Sequence, residues 1–486
     1  MSITQAEFPR SEKLGVIKPT YKGKGDQNDL NSYRPISNLS YLSKIIEKVV
    51  NDQLWTHLKH VSIIPENQSA YRENHSTETT LCSIMNDMIC MTDEGRCGIL
   101  VMLDLSAAFD TVVHEYLLND LKIIGVDGDA YRWFESYLKE REVTVAISHT
   151  RSQTRKLTKG VPQGSVLGPT LFTINTIELS WILKKHNVQF KLYADDTQFY
   201  FAVETTKDTL DKIKEIMMDI RNWMIKKKLK LNEDKTECML FGNENVLKNY
   251  EHLQYVKIGS SNIKTVTVLR NLGVSIDRNL TMKSQILNTV KICHHYLRNI
   301  AFIRKYLNED TLKMLMYNHI MSRLDYCNSR YYEVPNVLLK KLQSIQNKAA
   351  RLIRKISLRE RITPVLIDLH WLPIKARIIY KICLLTYKAL KFGEPKYLRK
   401  HLIPFELETN IITRHAADRH RLYEPRGNKG TIARTFWYSA PRLYNKLPTS
   451  VKNSENVGKF KKNLKTHLFE LCYDLEDKTL REQFKT

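Results

Sequence analysis

The stretch FKLYADDTQFY, residues 190–200, sets two adjacent aspartates between two short runs of aromatic and β-branched residues. Runs of this kind favour β-strands, and a polar pair between them favours a tight turn. We therefore predict a hairpin over residues 190–203 with Asp195 and Asp196 at its turn. An isolated Asp-Asp pair is more often turn chemistry than a functional site, so its meaning depends on its neighbours.

A third carboxylate, Asp104, follows the apolar run of residues 99–103, which is typical of a buried strand. The long interval between Asp104 and the hairpin leaves enough chain for the two strands to lie side by side. Three carboxylates at strand ends repel one another unless divalent cations neutralise them, and Mg²⁺ prefers carboxylate and phosphate oxygens. The pattern therefore indicates a metal-dependent site for phosphoryl or nucleotidyl transfer.

Charge is distributed unevenly along the chain. The formal net charge is +24, and residues 281–486 hold 40 basic against 17 acidic residues, so this part alone carries +23. Such an excess predicts a polyanionic partner for this half of the chain. The eight cysteines show no disulfide or zinc-finger spacing, and no signal peptide or membrane-spanning run is found. We expect an intracellular protein, in the nucleus, the cytoplasm or both, without a membrane partner.

Seven stretches resemble, in order, the polymerase motifs of non-LTR retrotransposon reverse transcriptases of the jockey and chicken-repeat type. The aspartate pair lies in the stretch that resembles the YxDD box, and Asp104 lies in the aspartate motif that precedes it. The other motifs are SYRPISNLSYLSKIIEKVV (32–50), QSAYRENHSTETTL (68–81), GVPQGSVLGPTLFTINT (160–176), KLKLNEDKTECMLFG (228–242) and LRNLGVSID (269–277). Later stretches, from residue 323 onward, resemble the thumb and carboxy-terminal region of the same family.

The resemblance implies an α+β right-hand polymerase with fingers, an antiparallel-sheet palm and a helical thumb. We assign residues 1–98 to the fingers, 99–280 to the palm with part of the fingers, 281–360 to the thumb, and 361–486 to a basic, mainly helical carboxy-terminal region. No endonuclease domain of the kind found in full elements is recognised before these motifs. We therefore expect a truncated copy, a partial gene model or a polymerase that works without its own nickase.

The implied activity is RNA-directed DNA synthesis, with an RNA template, a DNA primer and dNTPs as partners and two Mg²⁺ ions, or Mn²⁺ in their place, as cofactors. One alternative is an RNA-dependent RNA polymerase. Those enzymes tend to carry an acid five residues after the first aspartate, where this chain has Phe109, so the sequence argues against it. A second alternative is a catalytically inactive, domesticated or truncated nucleic-acid-binding derivative.

The resemblance implies that Asp104, Asp195 and Asp196 are the metal ligands. The main-chain carbonyl of Leu105 would be a further ligand. Lys235 would protonate the pyrophosphate leaving group; the alternative is an ordinary turn lysine in a charged loop. Asp110 matches the family pattern but has no metal role, so we treat it as structural.

Five residues are expected to bind the incoming nucleotide. Phe109 corresponds to the steric gate against a ribose 2′-hydroxyl, and Gln163 would lie against the nascent base pair. Gly164 would let the backbone approach the nucleotide because it has no Cβ. Arg34 and Arg72 would each offer a guanidinium to the triphosphate, although surface arginines are the competing interpretation.

Primer and template contacts are expected at two further places. Tyr193 would support the primer end beside the aspartate turn, and Gly273 lies in the stretch that resembles the primer-grip hairpin. In the thumb region, basic residues recur at helical spacing along one predicted helix and form a stripe that suits a nucleic-acid backbone. The stripe residues that we assign to this role are Lys341, Lys348, Arg351 and Lys355.

Overall fold

A computed structural model of the chain describes residues 2–23, 25–105, 109–258, 261–405, 420–425 and 430–473. The fold is α+β, as predicted. Two compact units are interleaved along the sequence. The first unit comprises Met1–Tyr71, Leu100–Cys238 and Tyr255–Lys264, and the second comprises Arg72–Ile99, Met239–Gln254 and Thr265–Thr486.

The amino-terminal elements are a strand pair and two long helices. The first of these helices starts after Ser40, whose hydroxyl accepts the Ser43 amide at 2.9 Å. Their bounds are β1 Leu14–Tyr21, β2 Tyr33–Asn38, α1 Tyr41–His60 and α2 Thr77–Asp93.

The middle of the chain alternates between helices and short strands. Both the strand before Asp104 and the hairpin around residue 195 are present as predicted. The elements are β3 Gly98–Leu103, α3 His114–Ile123, α4 Gly128–Leu138, β4 Arg141–Ile147, β5 Thr150–Arg151, β6 Arg155–Leu157, α5 Gly168–Asn175, α6 Ile177–Lys185, β7 Gln189–Tyr193, β8 Asp196–Ala202, α7 Thr206–Lys227, β9 Glu237–Phe241, α8 Glu244–Leu247, β10 Tyr255–Ile258, β11 Ser261–Lys264, β12 Val268–Asn271 and β13 Val274–Asp277.

After residue 281 the described chain contains long helices, as its periodicity predicted. The helices are α9 Lys283–Ile303, α10 Glu309–Met316, α11 Ser322–Asp325, α12 Asn336–Arg354, α13 Thr363–Asp368, α14 Ile374–Phe392, α15 Lys396–Arg399, α16 Phe436–Asn445, α17 Thr449–Lys452 and α18 Val457–Tyr473. No helix in the described part of the chain combines the length and apolar character that a bilayer span needs.

Two sheets organise the first unit. In one, the strand order is β2-β1-β4-β5, with β6 also paired to β4; β1 is antiparallel to β2 and parallel to β4. In the other, the order is β7-β8-β3-β9, so the strand that ends before Asp104 lies directly beside the hairpin strand that begins at Asp196. Leu100, Val101 and Phe199 are fully buried, which anchors both strands in the core.

Helix α7 has clear start and stop signals. The Thr205 hydroxyl accepts the Asp208 amide at its amino end, and Lys228 adopts a left-handed conformation at its carboxyl end. Two of its apolar residues that are seven positions apart, Ile213 and Ile220, are fully buried. The helix therefore packs by one face.

The core of the second unit is built around α12 and α14. Helix α12 buries Leu342, Ile345 and Ala349 along one face, and α14 buries Ile382 and Cys383. Trp371, which comes just before α14, is also almost completely buried, in agreement with a core aromatic.

Candidate active site

A tight hairpin presents the two adjacent aspartates. Tyr193 pairs with Asp196 across the antiparallel strands β7 and β8, so only Ala194 and Asp195 form the turn. Ala194 has a φ of 56°, an unusual value for a residue with a Cβ, because a two-residue turn must match the twist of its strands. Asp195 therefore lies in the turn itself, and Asp196 begins the second strand.

The fold brings Asp104 to this hairpin through the neighbouring strand β3. The pKa of Asp196 is raised to about 6, first by burial and then by the charges of Asp195 and Asp104. Burial also raises the pKa of Asp195, with Asp104 adding to the rise and Arg34 opposing it. The three carboxylates thus form a single electrostatic cluster.

The cluster suits a divalent cation by the chemistry of its donors. Partial burial and mutual repulsion both disfavour the ionised form of these carboxylates. A bound cation offsets both effects, so such a cluster is favourable for cation binding. Among the described residues, however, no three His, Cys, Asp or Glu side chains are arranged as a ready ligand set for one ion. Asp104, Asp195 and Asp196 therefore stay the predicted ligands.

Leu105, the further ligand expected through its carbonyl, is buried and forms an antiparallel bridge with Leu231. The Asn232 amide donates to the Asp104 carbonyl at 2.9 Å. These contacts dock the segment before Lys235 onto the end of β3.

Lys235 lies beside the carboxylates. It ends a three-residue 3-10 helix, and its Nζ is 3.5 Å from Oδ2 of Asp104. Its side chain is 62% exposed, so the ion pair itself contributes little to stability. The structure therefore places an exposed ammonium next to a partly buried acid cluster, and the role of Lys235 as a proton donor stays a prediction.

Phe109 is half-buried, and its ring stacks on that of Phe172 in α5, with 4.5 Å between the ring centroids and 23° between the planes. The Val161 amide also donates to the Phe109 carbonyl at 2.9 Å. Both contacts hold the ring in one position, which a steric gate requires. The three residues before it, 106–108, lie outside the described part of the chain.

Gln163 is anchored on both its backbone and its side chain. Its Nε2 donates to both carboxylate oxygens of Asp110, at 3.0 and 2.9 Å, and its carbonyl accepts the Ser37 amide at 2.7 Å. Burial raises the pKa of Asp110, and the bond from Gln163 opposes that rise. The sequence treated Asp110 as structural without identifying its partner, which is Gln163.

Gly164 has a φ of +114°, and a Cβ there would lie 2.6 Å from the Ser37 carbonyl oxygen. The backbone of β2 therefore already requires glycine at this position. From the sequence, glycine was expected at this position because it would let the backbone approach the nucleotide. In the structure the close neighbour is Ser37, and the nucleotide contact stays a prediction.

Arg34 and Tyr193 lie near the turn. Arg34 is exposed on β2 in the other sheet, and its positive charge opposes the rise in the pKa of Asp195. Tyr71, which the sequence analysis did not single out, is also present: burial, Asp195 and Tyr193 together raise its pKa. No spacing rule could have revealed Tyr71, because only the fold brings it to the hairpin.

Arg72 and Gly273 belong to the second unit. Arg72 forms an ion pair with Glu394, with 3.7 Å between Nη2 and Oε1. Gly273 has a φ of +80° in the turn between β12 and β13, so the predicted hairpin is present and its turn favours glycine. Their nucleotide and primer roles stay predictions.

Only some of the residues in the basic stripe on α12 are exposed to solvent. Lys341, Lys348 and Lys355 are exposed. Arg351, by contrast, donates to the carbonyls of Ser357 and Glu360 and helps to close the carboxyl end of the helix. The lysines therefore fit an external polyanion better than this arginine does.

Arg354, the neighbour of Lys355, is also engaged within the protein. It forms ion pairs with Glu309, at 2.7 Å, and with Asp368. Its charge is therefore neutralised by the fold.

Comparisons with known proteins place most of the chain in one family. The sequence profile of the family described as reverse transcriptase (RNA-dependent DNA polymerase) matches residues 21–276, more than half of the chain. The RNA-directed DNA polymerase from mobile element jockey of Drosophila melanogaster is 25% identical over 354 residues, which cover 71% of this chain and 38% of that relative. Its counterpart from Drosophila funebris is 26% identical over 358 residues, covering 72% and 38%.

The chain thus spans well under half of the length of these relatives. Among solved structures, apo telomerase from Candida tropicalis is 14% identical and aligns over 81% of this chain and 70% of its own, with a TM-score of 0.41.

Proposed function

Because the chain belongs to the reverse transcriptase family, we propose that it acts as the RNA-directed DNA polymerase of a non-LTR retrotransposon of the jockey type. The observation that carries the proposal is the clustering of Asp104, Asp195 and Asp196 at the ends of neighbouring strands. In the proposed reaction, the primer 3′-hydroxyl attacks the α-phosphate of a dNTP, a phosphodiester bond forms, and pyrophosphate leaves.

The fold is that of a right-hand polymerase of the α+β class. We propose the assignment of residues 1–98 to the fingers, 99–280 to the palm with part of the fingers, 281–360 to the thumb and 361–486 to a basic extension. The template would be RNA, and the primer would be a nicked chromosomal DNA end. We expect the protein in the nucleus, the cytoplasm or both.

Two Mg²⁺ ions, or Mn²⁺ in their place, would neutralise the three carboxylates, activate the attacking hydroxyl and stabilise the charge on the leaving phosphate. The residues of the chain have complementary tasks. Arg34 carries positive charge next to Asp195, where the triphosphate of a dNTP would need it. Lys235, 3.5 Å from Asp104, is in reach to give a proton to pyrophosphate.

Selection of the nucleotide is assigned to Phe109 and Gln163. The ring of Phe109 is held by its stack on Phe172, so it would collide with a 2′-hydroxyl rather than move away. Gln163, held by Asp110, would contact the nascent base pair.

We assign binding of the template and primer to the second half of the chain. Lys341, Lys348 and Lys355 are exposed on or next to α12 and suit a phosphate backbone that is bound without regard to sequence.

The decisive experiment is extension of oligo(dT) on poly(rA) with Mg²⁺ and dTTP. Wild-type protein should incorporate dTTP, whereas Asp195→Asn should lose activity by roughly three orders of magnitude or more, since charge stabilisation at the reacting phosphate is lost. The matched control is Asp129→Asn, which changes an aspartate that is 67% exposed and paired with Arg132. This control should retain full activity.

Two results would count against the proposal. Equal incorporation by wild type and Asp195→Asn would remove the assignment of the site. Binding of RNA by the wild type without any incorporation would favour the inactive nucleic-acid-binding derivative.

A further inference from the structure

Glu47 is a carboxylate buried completely within the first unit, at 0% exposure, in the middle of α1. Its Oε2 accepts the backbone amides of Val166 and Leu167, at 2.7 and 3.1 Å. Its Oε1 accepts the Ser43 hydroxyl at 3.0 Å. A buried ionised group is costly unless donors of this kind surround it, so the arrangement specifies one position for the carboxylate.

The two amides belong to the start of α5. Leu167 is the N-cap of this helix, and its apolar side chain provides no cap for the helix amides. From a different helix, Glu47 accepts the amide of this N-cap residue and the amide before it, where an anion also complements the positive end of the helix dipole. Nearby, the Ser165 hydroxyl accepts the Gly168 amide at 2.9 Å.

The segment that precedes α5 is the one expected to meet the nucleotide. Gln163 lies three residues before the first amide that Glu47 binds, and its own carbonyl is held by the Ser37 amide. The loop of residues 163–167 is therefore attached at its start by β2 and at its end by Glu47. Loss of either attachment would let Gln163 and Gly164 shift.

We propose that Glu47 is a positioning residue for nucleotide selection. By holding the amides of Val166 and Leu167, it sets the position of the loop that carries Gln163 and Gly164. The inference rests on the proposed function, because the loop matters for catalysis only if a dNTP binds against it. Glu47 itself contacts neither substrate nor metal.

Two conservative variants test the length of the Glu47 side chain and its charge separately. Glu47→Gln keeps the length: its amide oxygen can accept both backbone amides, as Oε2 does, and its NH₂ can donate to the Ser43 hydroxyl. Glu47→Asp keeps the charge but is one methylene shorter, so it loses the two amides. The matched control is Asp52→Asn on the same helix, where the carboxylate is 58% exposed and pairs with Lys48.

The first readout does not depend on activity. Hydrogen exchange at the amides of Val166 and Leu167 should be faster in Glu47→Asp than in wild type, and nearly unchanged in Glu47→Gln and Asp52→Asn. Amides of the hairpin 189–202 should exchange at the wild-type rate in all variants, which controls for general unfolding. Unchanged exchange at both loop amides in Glu47→Asp would overturn the proposal.

The second readout is KM for dTTP on poly(rA). Glu47→Asp should raise KM roughly 10- to 100-fold, the scale expected when a substrate-positioning group moves by about 1 Å. Glu47→Gln should stay within about 3-fold of wild type, because hydrogen bonds are retained while the dipole contribution is lost. A fall in kcat with KM unchanged would indicate a merely structural role and contradict the proposal.

A double-mutant cycle tests whether Glu47 influences KM through Gln163. If Glu47 acts through Gln163, the Glu47→Asp/Gln163→Ala protein should have the KM of Gln163→Ala alone. Additive effects on KM would overturn that route. A wild-type protein that shows no incorporation, but whose loop amides respond as predicted, would refute the proposed function and leave the anchoring by Glu47 intact.

Discussion

The amide nitrogen of Gln163 donates to both carboxylate oxygens of Asp110, at 3.0 and 2.9 Å. The two residues are 53 positions apart, and each comes from a different motif of the site. Because Asp110 is partly buried, the bond fixes the direction of the Gln163 side chain rather than only adding stability. The proposed role of Gln163 in nucleotide selection would therefore depend on Asp110.

We expect Asp110→Ala to raise KM for dTTP by up to about 10-fold, because the freed Gln163 amide loses a bond to a charged acceptor, on the order of 1.5 kcal/mol. Asp110→Asn should have a smaller effect, since one acceptor oxygen remains. Steady-state extension of oligo(dT) on poly(rA) measures both. An unchanged KM in Asp110→Ala would mean that Gln163 does not depend on this bond.

The raised pKa of Asp196 predicts a pH-dependent effect on stability. Its folded pKa of about 6 lies above the unfolded value of about 3.9, so the native state binds this proton more tightly. The free energy of unfolding should therefore fall as the pH rises from about 4 to 6, and the penalty is complete above that range. Asp196→Asn removes the penalty.

Urea unfolding without divalent metal should show Asp196→Asn to be more stable than wild type at pH 7.5 by about 1–3 kcal/mol, and equal to it at pH 4. Added Mg²⁺ should stabilise wild type more than the variant at pH 7.5. A difference of the same size at both pH values would contradict this account of the carboxylate cluster.

Replacing Phe109 with valine should admit ribonucleotides, because the ring that would meet the 2′-hydroxyl is gone. We expect the preference for dTTP over UTP, measured as the ratio of kcat/KM, to fall on the order of 10-fold or more. Phe172→Leu is the informative partner variant: it keeps the gate ring but removes its stack, so a smaller loss is expected. Unaltered discrimination in Phe109→Val would leave Phe109 as a core residue only.

The contrast between neighbouring cations on α12 predicts two different phenotypes. Lys348→Ala should weaken RNA–DNA binding and reduce the slope of log K against log[salt] by about 1, as expected for one lost phosphate contact. Arg354→Ala should instead lower the melting temperature, since Arg354 pairs with Glu309 and Asp368. Fluorescence anisotropy across a salt series, together with thermal unfolding, distinguishes the two.

A loss of salt-dependent affinity in Arg354→Ala, or none in Lys348→Ala, would reverse these assignments. The exposed Lys283 at the start of α9 provides a matched control, since Lys283→Ala removes a positive charge from a different helix of the same unit.

Local sequence determined the elements and the order of the motifs. Aromatic residues on both sides of the aspartate pair favour a hairpin, and the apolar run before Asp104 favours a buried strand, because both signals act over a few residues. Ser40 and Thr205 likewise mark helix starts through their own hydroxyls. The α+β class and the reverse transcriptase family therefore follow from the sequence.

Tertiary structure decided which side chains support the site. Glu47 and Asp110 act on the loop at Gln163 from distant parts of the sequence, and Gly164 is required by the Ser37 carbonyl rather than by a pattern within its own motif. Likewise, Lys348 and Arg354 look alike in sequence, but only one is neutralised by the fold. Hydrogen bonds and ion pairs between distant segments depend on distances of about 3 Å, which only the packed chain sets.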